Sequence, residues 1–124
     1  MPDGSIAPTN PSRPSFAHYV LEVFGLEKAS LKSYASILPY INLFLKNTGL
    51  CVVDQRFHDF SPHGATLLFI LSSSHMAVHT WPENEYLHID LLTCMTTKTT
   101  DVLERSLKNV FPGKKVRLMR IQYA

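Results

Sequence analysis

This 124-residue chain has few cysteines, little excess charge and no long apolar run. Its two cysteines, Cys51 and Cys94, are too few for a disulfide scaffold and fit a reducing compartment. A formal net charge of +2 argues against nucleic acid or an anionic membrane as a partner. No run approaches the ~18 apolar residues of a membrane-spanning helix, and the first residues lack the basic-then-apolar layout of a secretion signal. We therefore expect a cytoplasmic protein with neither a nucleic-acid nor a membrane partner.

What is present indicates a single globular domain after a short tail. Hydrophobic residues make up 45% of the chain and charged residues 18%, as in ordinary folded proteins. The first fourteen residues contain four of the eight prolines and no apolar face. We predict a flexible tail over residues 1–14 and one domain over residues 15–124.

The first part of the domain predicts a strand followed by a helix. Residues Ala17–Phe24 place Tyr19, Leu21 and Val23 on one face, which is typical of a half-buried strand. Apolar residues then recur at spacings of three and four and predict an amphipathic helix that ends at Asn47–Gly49. Pro39 lies inside this helix and is expected to kink or split it.

The remainder predicts four strands, a helix and a last strand. Their ranges are Leu50–Phe60, Thr66–Leu71, His75–Trp81, Leu87–Cys94, a helix from about Thr99 to Phe111, and Val116–Tyr123. The continuous apolar run of Thr66–Leu71 suggests a strand covered on both faces. This order favours an α+β fold, a two-layer sandwich in which two helices cover a largely antiparallel sheet.

The residues with chemical potential lie between Ser72 and Cys94. Three consecutive serines end at Ser74, and His75, His79 and Cys94 follow. A zinc site on the two histidines is not expected, because four strand residues separate them by about 13 Å. A hydrolase is also weakly supported, since neither a nucleophile elbow nor a cysteine-protease signature is present. Taken alone, these residues leave a structural role open.

A longer motif is more specific. The run Ser73-Ser74-His75-Met76-Ala77-Val78-His79-Thr80-Trp81-Pro82-Glu83, with Thr93-Cys94 ten residues later, resembles the bacterial and archaeal S-adenosylmethionine decarboxylases. The upstream segment Phe57–Gly64 is similar to the same family, and the resemblance extends over Ser15–Tyr123. Members of this family make their own pyruvoyl cofactor by cutting the chain before an internal serine.

The resemblance implies cleavage between Ser73 and Ser74, with Ser74 becoming the pyruvoyl group that forms a Schiff base with the substrate. It also implies that His79 assists processing and that Cys94 returns a proton to the decarboxylated carbon. Thr66 stands where the family commonly has a serine that supports processing. No metal is implied.

The resemblance further implies a small-molecule substrate and a homodimer of processed protomers. Phe60 and Trp81 would stack on adenine and Glu83 would bind the ribose, although each could instead be an ordinary core aromatic or turn residue. The implied product is decarboxylated S-adenosylmethionine for spermidine biosynthesis.

Two positions depart from the family and leave alternatives open. Ser73 replaces the usual Glu before the cleaved serine, and Met95 replaces the usual Gly after Cys94. One alternative is a relative acting on arginine or ornithine, whose distal cation would need a carboxylate. The other is an unprocessed, non-catalytic homologue. Candidate carboxylates for the first alternative are Asp59, Glu85 and Asp90.

Overall fold

The computed structural model describes residues 12–94 and 100–123. Its elements are, in order, β1 (Ala17–Phe24), α1 (Lys28–Leu31), α2 (Tyr34–Thr48), β2 (Val52–Asp59), β3 (Ala65–Leu71), β4 (Ser74–Trp81), β5 (Tyr86–Thr93), α3 (Thr100–Val110) and β6 (Lys115–Arg120). One 3-10 turn, Pro82–Asn84, connects β4 to β5. Residues 1–11 of the predicted tail, as well as Met95 and Thr99, lie outside the described residues.

The strands form a single sheet in the order β2-β3-β4-β5-β1-β6, and every neighbouring pair is antiparallel. Strands β2 to β5 pair in chain order, because antiparallel neighbours need only short connections. The first strand of the chain then fills the gap between β5 and β6. This architecture confirms the predicted α+β fold. In the described part of the chain, each helix is too short or too polar to cross a bilayer.

One face of the sheet is covered by α2 and α3, and the core lies between these two layers. In the four central strands β3, β4, β5 and β1, alternate residues are buried in it, so the predicted inward face of β1 is confirmed. Burying one such aliphatic side chain contributes about 1.5–3 kcal/mol relative to exposure. The strand residues of this inner face include Tyr19, Leu21, Val23, Leu67, Phe69, Met76, Val78, Leu87, Ile89 and Leu91.

The predicted first helix is divided, but Pro39 does not divide it. The break lies at Lys32 and Ser33, between α1 and α2, and α2 continues through Pro39. Ser33 begins α2 by a capping box, since its Oγ accepts from the Ser36 N–H at 3.2 Å and Ser36 Oγ accepts from the Ser33 N–H at 3.1 Å. Pro39 removes one N–H near the helix start, which the remaining turns tolerate. The predicted end is confirmed by Gly49, which has φ 71° and caps the carbonyl of Leu45.

Within residues 12–94 and 100–123, no helix covers the opposite, outer face of the sheet. Leu68 and Ile70 of β3 point to this side and are 47% and 56% exposed. The prediction that Thr66–Leu71 is covered on both faces is therefore wrong for a single chain. The continuous apolar run of β3 arises because its outer face also carries hydrophobic side chains, which is unusual for a surface in contact with water.

Candidate active site

The bond between Ser73 and Ser74 lies in a tight hairpin turn. Leu71 and Ser74 pair across β3 and β4, so that Ser72 and Ser73 alone make the connection. Ser73 is exposed and has a left-handed backbone, with φ 58°. This conformation costs a residue with a side chain about 1–2 kcal/mol. The bond is thus accessible and follows a strained residue.

Cys94 contacts both groups that would react at this bond. Its backbone N–H donates to Ser74 Oγ at 3.0 Å, and its Sγ donates to the Ser73 carbonyl at 2.9 Å. A donor at this distance polarises a carbonyl and stabilises the oxyanion formed when it is attacked. Although β5 was predicted to include Cys94, the strand ends at Thr93 and leaves Cys94 exposed beside the turn.

A cleft of about 340 Å³ adjoins these groups. This volume is at the lower end of the range for small-molecule sites. Both free thiols of the chain line it, and none of its lining residues is acidic. The lining residues are Leu50, Cys51, Leu71, Ser72, Ser73 and Cys94.

A second group of polar residues lies further along β4, on the outer face. His79 pairs with Thr66 across β3, and Thr66 Oγ1 lies 2.9 Å from His79 Nδ1. When Nδ1–H donates to Thr66, the Nε2 lone pair is left as a proton acceptor. Burial lowers the pKa of His79 below its ordinary value; the nearby His88 also lowers it, and Asp90 opposes both effects. The imidazole is therefore suited to act as a neutral base.

Within one chain, the structure does not bring His79 to Ser74. The two residues lie on the same strand, five positions apart, which corresponds to about 16 Å along β4. A general base must be within hydrogen-bond reach of the proton that it removes. One chain therefore carries two separate half-sites, one at Ser73, Ser74 and Cys94 and the other at Thr66 and His79.

The three predicted substrate-binding residues lie at the His79 end of β4, away from Ser74. Trp81 ends the strand, Glu83 lies in the following 3-10 turn, and Phe60 follows β2. Phe60 is 51% and Trp81 42% exposed, which excludes the alternative that they are core aromatics. Glu83 is also exposed, and its Oε2 lies 3.6 Å from His63 Nε2.

Sequence reasoning missed His88. It pairs with His79 across β4 and β5, and their ring centroids are 6.2 Å apart. A hairpin centred on the predicted turn Pro82–Glu85 places residues 79 and 88 opposite each other, so the turn itself was a signal for this pair.

The model of the S-adenosylmethionine decarboxylase family matches residues 17–123. An S-adenosylmethionine decarboxylase proenzyme of Persephonella marina is 34% identical over 98 residues, covering 78% of this chain and 74% of the relative. A proenzyme of the same name from Clostridium botulinum strain Langeland is 31% identical over 104 residues, covering 84% and 90%.

A solved structure supports the fold. The crystal structure of the adenosylmethionine decarboxylase from Aquifex aeolicus superposes with a TM-score of 0.74 at 21% identity, over 89% of this chain and 91% of that one. The motif around Ser74 and Cys94, the matched residues and the shared architecture agree. The chain belongs to the S-adenosylmethionine decarboxylase family.

Proposed function

We propose that this chain is the proenzyme of a cytoplasmic, pyruvoyl-dependent S-adenosylmethionine decarboxylase that cleaves itself between Ser73 and Ser74. The observation that carries the proposal is the double contact of Cys94 with the Ser74 hydroxyl and the Ser73 carbonyl. The mature enzyme would release CO₂ from S-adenosylmethionine and supply the decarboxylated product for spermidine biosynthesis. Two exposed free thiols fit the reducing cytoplasm.

Self-cleavage follows from groups that already lie together. Ser74 Oγ attacks the Ser73 carbonyl carbon, and the amide C–N bond breaks to give an ester. Removal of the Ser74 α-proton, with His79 of the partner protomer as the base, then expels the ester as the carboxylate of Ser73 and leaves a dehydroalanine at position 74. Its imine tautomer takes up water and releases ammonia, leaving a pyruvoyl group on the second fragment. Cys94 stabilises the oxyanion in the first step through its thiol.

The site around Ser74 fits such a group, because position 74 begins a strand, is half-buried and adjoins the cleft. A pyruvoyl group supplies an electron sink for the electrons left by departing CO₂. Cys94 would donate a proton to the substrate carbon from its place beside residue 74. Phe60 and Trp81 would stack on adenine, and Glu83 would accept hydrogen bonds from the ribose.

The amino-acid alternative has little support. Its candidate carboxylates are engaged elsewhere, since Asp59 accepts from the Tyr34 N–H at 2.7 Å and Asp90 pairs with His18 at 2.5 Å. Glu85 lies in the left-handed turn after the 3-10 helix. With no acidic residue lining the cleft, a distal cation has no partner there. The non-catalytic alternative conflicts with the contacts that Cys94 makes to both reacting groups.

The proposal includes a homodimer with composite sites. His79 and Trp81 lie about 16 and 23 Å along β4 from Ser74, beyond the reach of their own reacting bond. A twofold axis that packs two outer faces together with antiparallel β4 strands would bring Ser74 of one protomer towards His79 of its partner. An isologous interface of this kind completes both sites at once.

The character of the outer face supports this interface. Besides Leu68 and Ile70, it carries Trp81 and Met119, which are also exposed. Contiguous exposed apolar surface on a soluble protein typically marks an interaction site. Since Leu68 and Ile70 lie on β3 between the two half-sites, the same contact would exclude water from the reaction.

The test combines mass and activity. Intact-mass measurement of the purified chain should show two fragments, residues 1–73 and 74–124, the second labelled by phenylhydrazine. The cleaved protein should release CO₂ from S-adenosylmethionine and not from arginine or ornithine. Ser74→Ala is the control and should stay full length, unlabelled and inactive. A single full-length mass in the unaltered chain, after long incubation, would refute the proposal.

A further inference from the structure

A row of three polar residues crosses the outer face of the sheet. Thr66 on β3 pairs with His79 on β4, which in turn pairs with His88 on β5. Directly opposed residues of antiparallel strands have Cβ atoms about 4.5–5.5 Å apart. Both histidines are half-buried, and their rings lie 6.2 Å apart at the centroids. The His88 imidazole therefore lies close enough to act on the charge of His79.

Two protonated imidazoles in this arrangement would repel. A neighbouring like charge disfavours the charged form of a group, and burial strengthens the effect because less water screens it. Both burial and His88 lower the pKa of His79, in that order of importance, while Asp90 raises it. The geometry of the pair and the direction of the shift agree.

The acidic groups near this row have other partners. Asp90 pairs with His18 at 2.5 Å, and Glu22, opposite His88 on β1, accepts from Tyr86 Oη at 2.6 Å. Burial, together with this contact, raises the pKa of Tyr86, which keeps it neutral. The titratable and charged groups that share the outer face with the row include His58 and Arg56 on β2, His75 on β4, Tyr86 and Asp90 on β5, His18 and Glu22 on β1, and Arg117 on β6; β3 contributes none.

We propose that His88 is a positioning residue for self-cleavage, which holds the His79 imidazole in its neutral, proton-accepting form against Thr66. The inference rests on the proposed function, in which His79 serves as the base. A second imidazole opposite also makes the protonated intermediate of His79 less stable, so that the proton is passed on rather than retained. His88 acts through His79 and touches neither the bond that breaks nor the substrate.

The first experiment measures His79 directly. In the full-length Ser74→Ala chain, which stays a single species, NMR follows the titration of the His79 ring with His88 retained, His88→Gln and His88→Lys. The midpoint should rise with Gln, which lacks a charge, and fall with Lys, which is always charged. His63→Gln is the matched control, since it removes an imidazole from the turn between β2 and β3, outside the row and away from the Ser74 end of β4, and should leave the midpoint unchanged.

A purely structural role would move the Gln and Lys variants in the same direction, or neither. Either result would overturn the assignment of His88. A midpoint that rises with Gln and falls with Lys supports the assignment, because an electrostatic effect of the side chain at position 88 would order the variants by charge.

The second experiment measures cleavage in chains that retain Ser74. Precursor made by brief cell-free synthesis is transferred to buffers across the acidic and neutral range, and the fraction cleaved is followed by mass. The acid limb of the cleavage profile should shift to higher pH in His88→Gln and not in His63→Gln. An unshifted limb would overturn the role of His88, whereas the absence of cleavage at every pH would refute the proposed function itself.

Discussion

Cys94 concentrates the chemistry of the site at the scale of single residues. Its backbone N–H and its thiol bind the hydroxyl and the carbonyl that would react with each other. The sequence motif implied a role for Cys94 only in decarboxylation. The contact with the Ser73 carbonyl supports a second proposed role, in cleavage, because the thiol lies where it would stabilise an oxyanion.

We therefore predict that Cys94→Ala slows both steps. Loss of the donor to the Ser73 carbonyl should reduce the rate of self-cleavage about tenfold or more, and loss of the proton donor should reduce CO₂ release from the fraction that does cleave. Cleavage is measured by intact mass, and turnover is normalised to the pyruvoyl content.

Cys94→Ser is the matched variant that separates the two roles. Its hydroxyl can still donate to the carbonyl, so cleavage should exceed that of Cys94→Ala, but it is a far weaker acid than a thiol and turnover should stay low. Cleavage of Cys94→Ala at the unaltered rate would show that the thiol contact has no part in processing.

The same scale shows why His88 escaped sequence reasoning. The motif includes His79, whereas His88 belongs to no motif. Only the pairing of β4 with β5 places His88 opposite His79 and indicates a role for it. The pairing of His79 with His88 follows from the four-residue turn between β4 and β5. The sequence alone does not fix how many residues the turn contains, and the register depends on that number.

At the scale of elements, the hairpins determine where the half-sites lie. The two-residue turn at Ser72 and Ser73 pairs Thr66 with His79, and the longer turn at Pro82–Glu85 pairs His79 with His88. Alternation of apolar residues was sufficient to locate β1 at both ends and the other strands to within a few residues. Pro39 was misleading because Ser33 supplies a stronger signal, a helix start with its own cap.

This explanation predicts that Ser33→Ala destabilises the fold. Removal of the side chain that accepts from the Ser36 N–H should lower the free energy of unfolding by about 1 kcal/mol. The measurement is urea unfolding in the Ser74→Ala background at one protein concentration, because association shifts the apparent stability.

Ser33→Asp is the control, since its carboxylate retains an acceptor at the same position. It should keep most of the stability of the unaltered chain. Equal losses in the Ala and Asp variants would contradict the capping explanation.

At the scale of the whole molecule, the length of β4 separates the residues that the motif groups together. One strand cannot place Ser74 and His79 in contact, so the proposed enzyme requires a second copy of the chain. A single interface between two outer faces would cover the exposed apolar surface and would also bring the two half-sites together.

Mixing two inactive chains tests this arrangement. Neither Ser74→Ala nor His79→Ala should cleave when expressed alone. Co-expressed, they can form a dimer in which intact Ser74 of the second chain meets intact His79 of the first. We expect cleavage of the His79→Ala chain to return, detected by the masses of differently tagged chains.

The control for this experiment is co-expression of two His79→Ala chains, which should remain uncleaved. If the site lay within one chain, the mixed sample would also remain uncleaved, because each chain lacks one essential group. That outcome would refute the composite site.

Local patterns in the sequence were sufficient for the strands and the helix ends, and motif spacing alone gave the proposed roles of Ser74, Cys94 and His79, because periodicity and spacing depend on neighbours along the chain. The distances between these residues were decided by tertiary structure. Antiparallel pairing brought Cys94 against Ser73 and His88 against His79, while the rigid rise of β4 kept His79 away from Ser74. Contacts between strands depend on register and closure of the sheet, and no single segment of sequence contains that information.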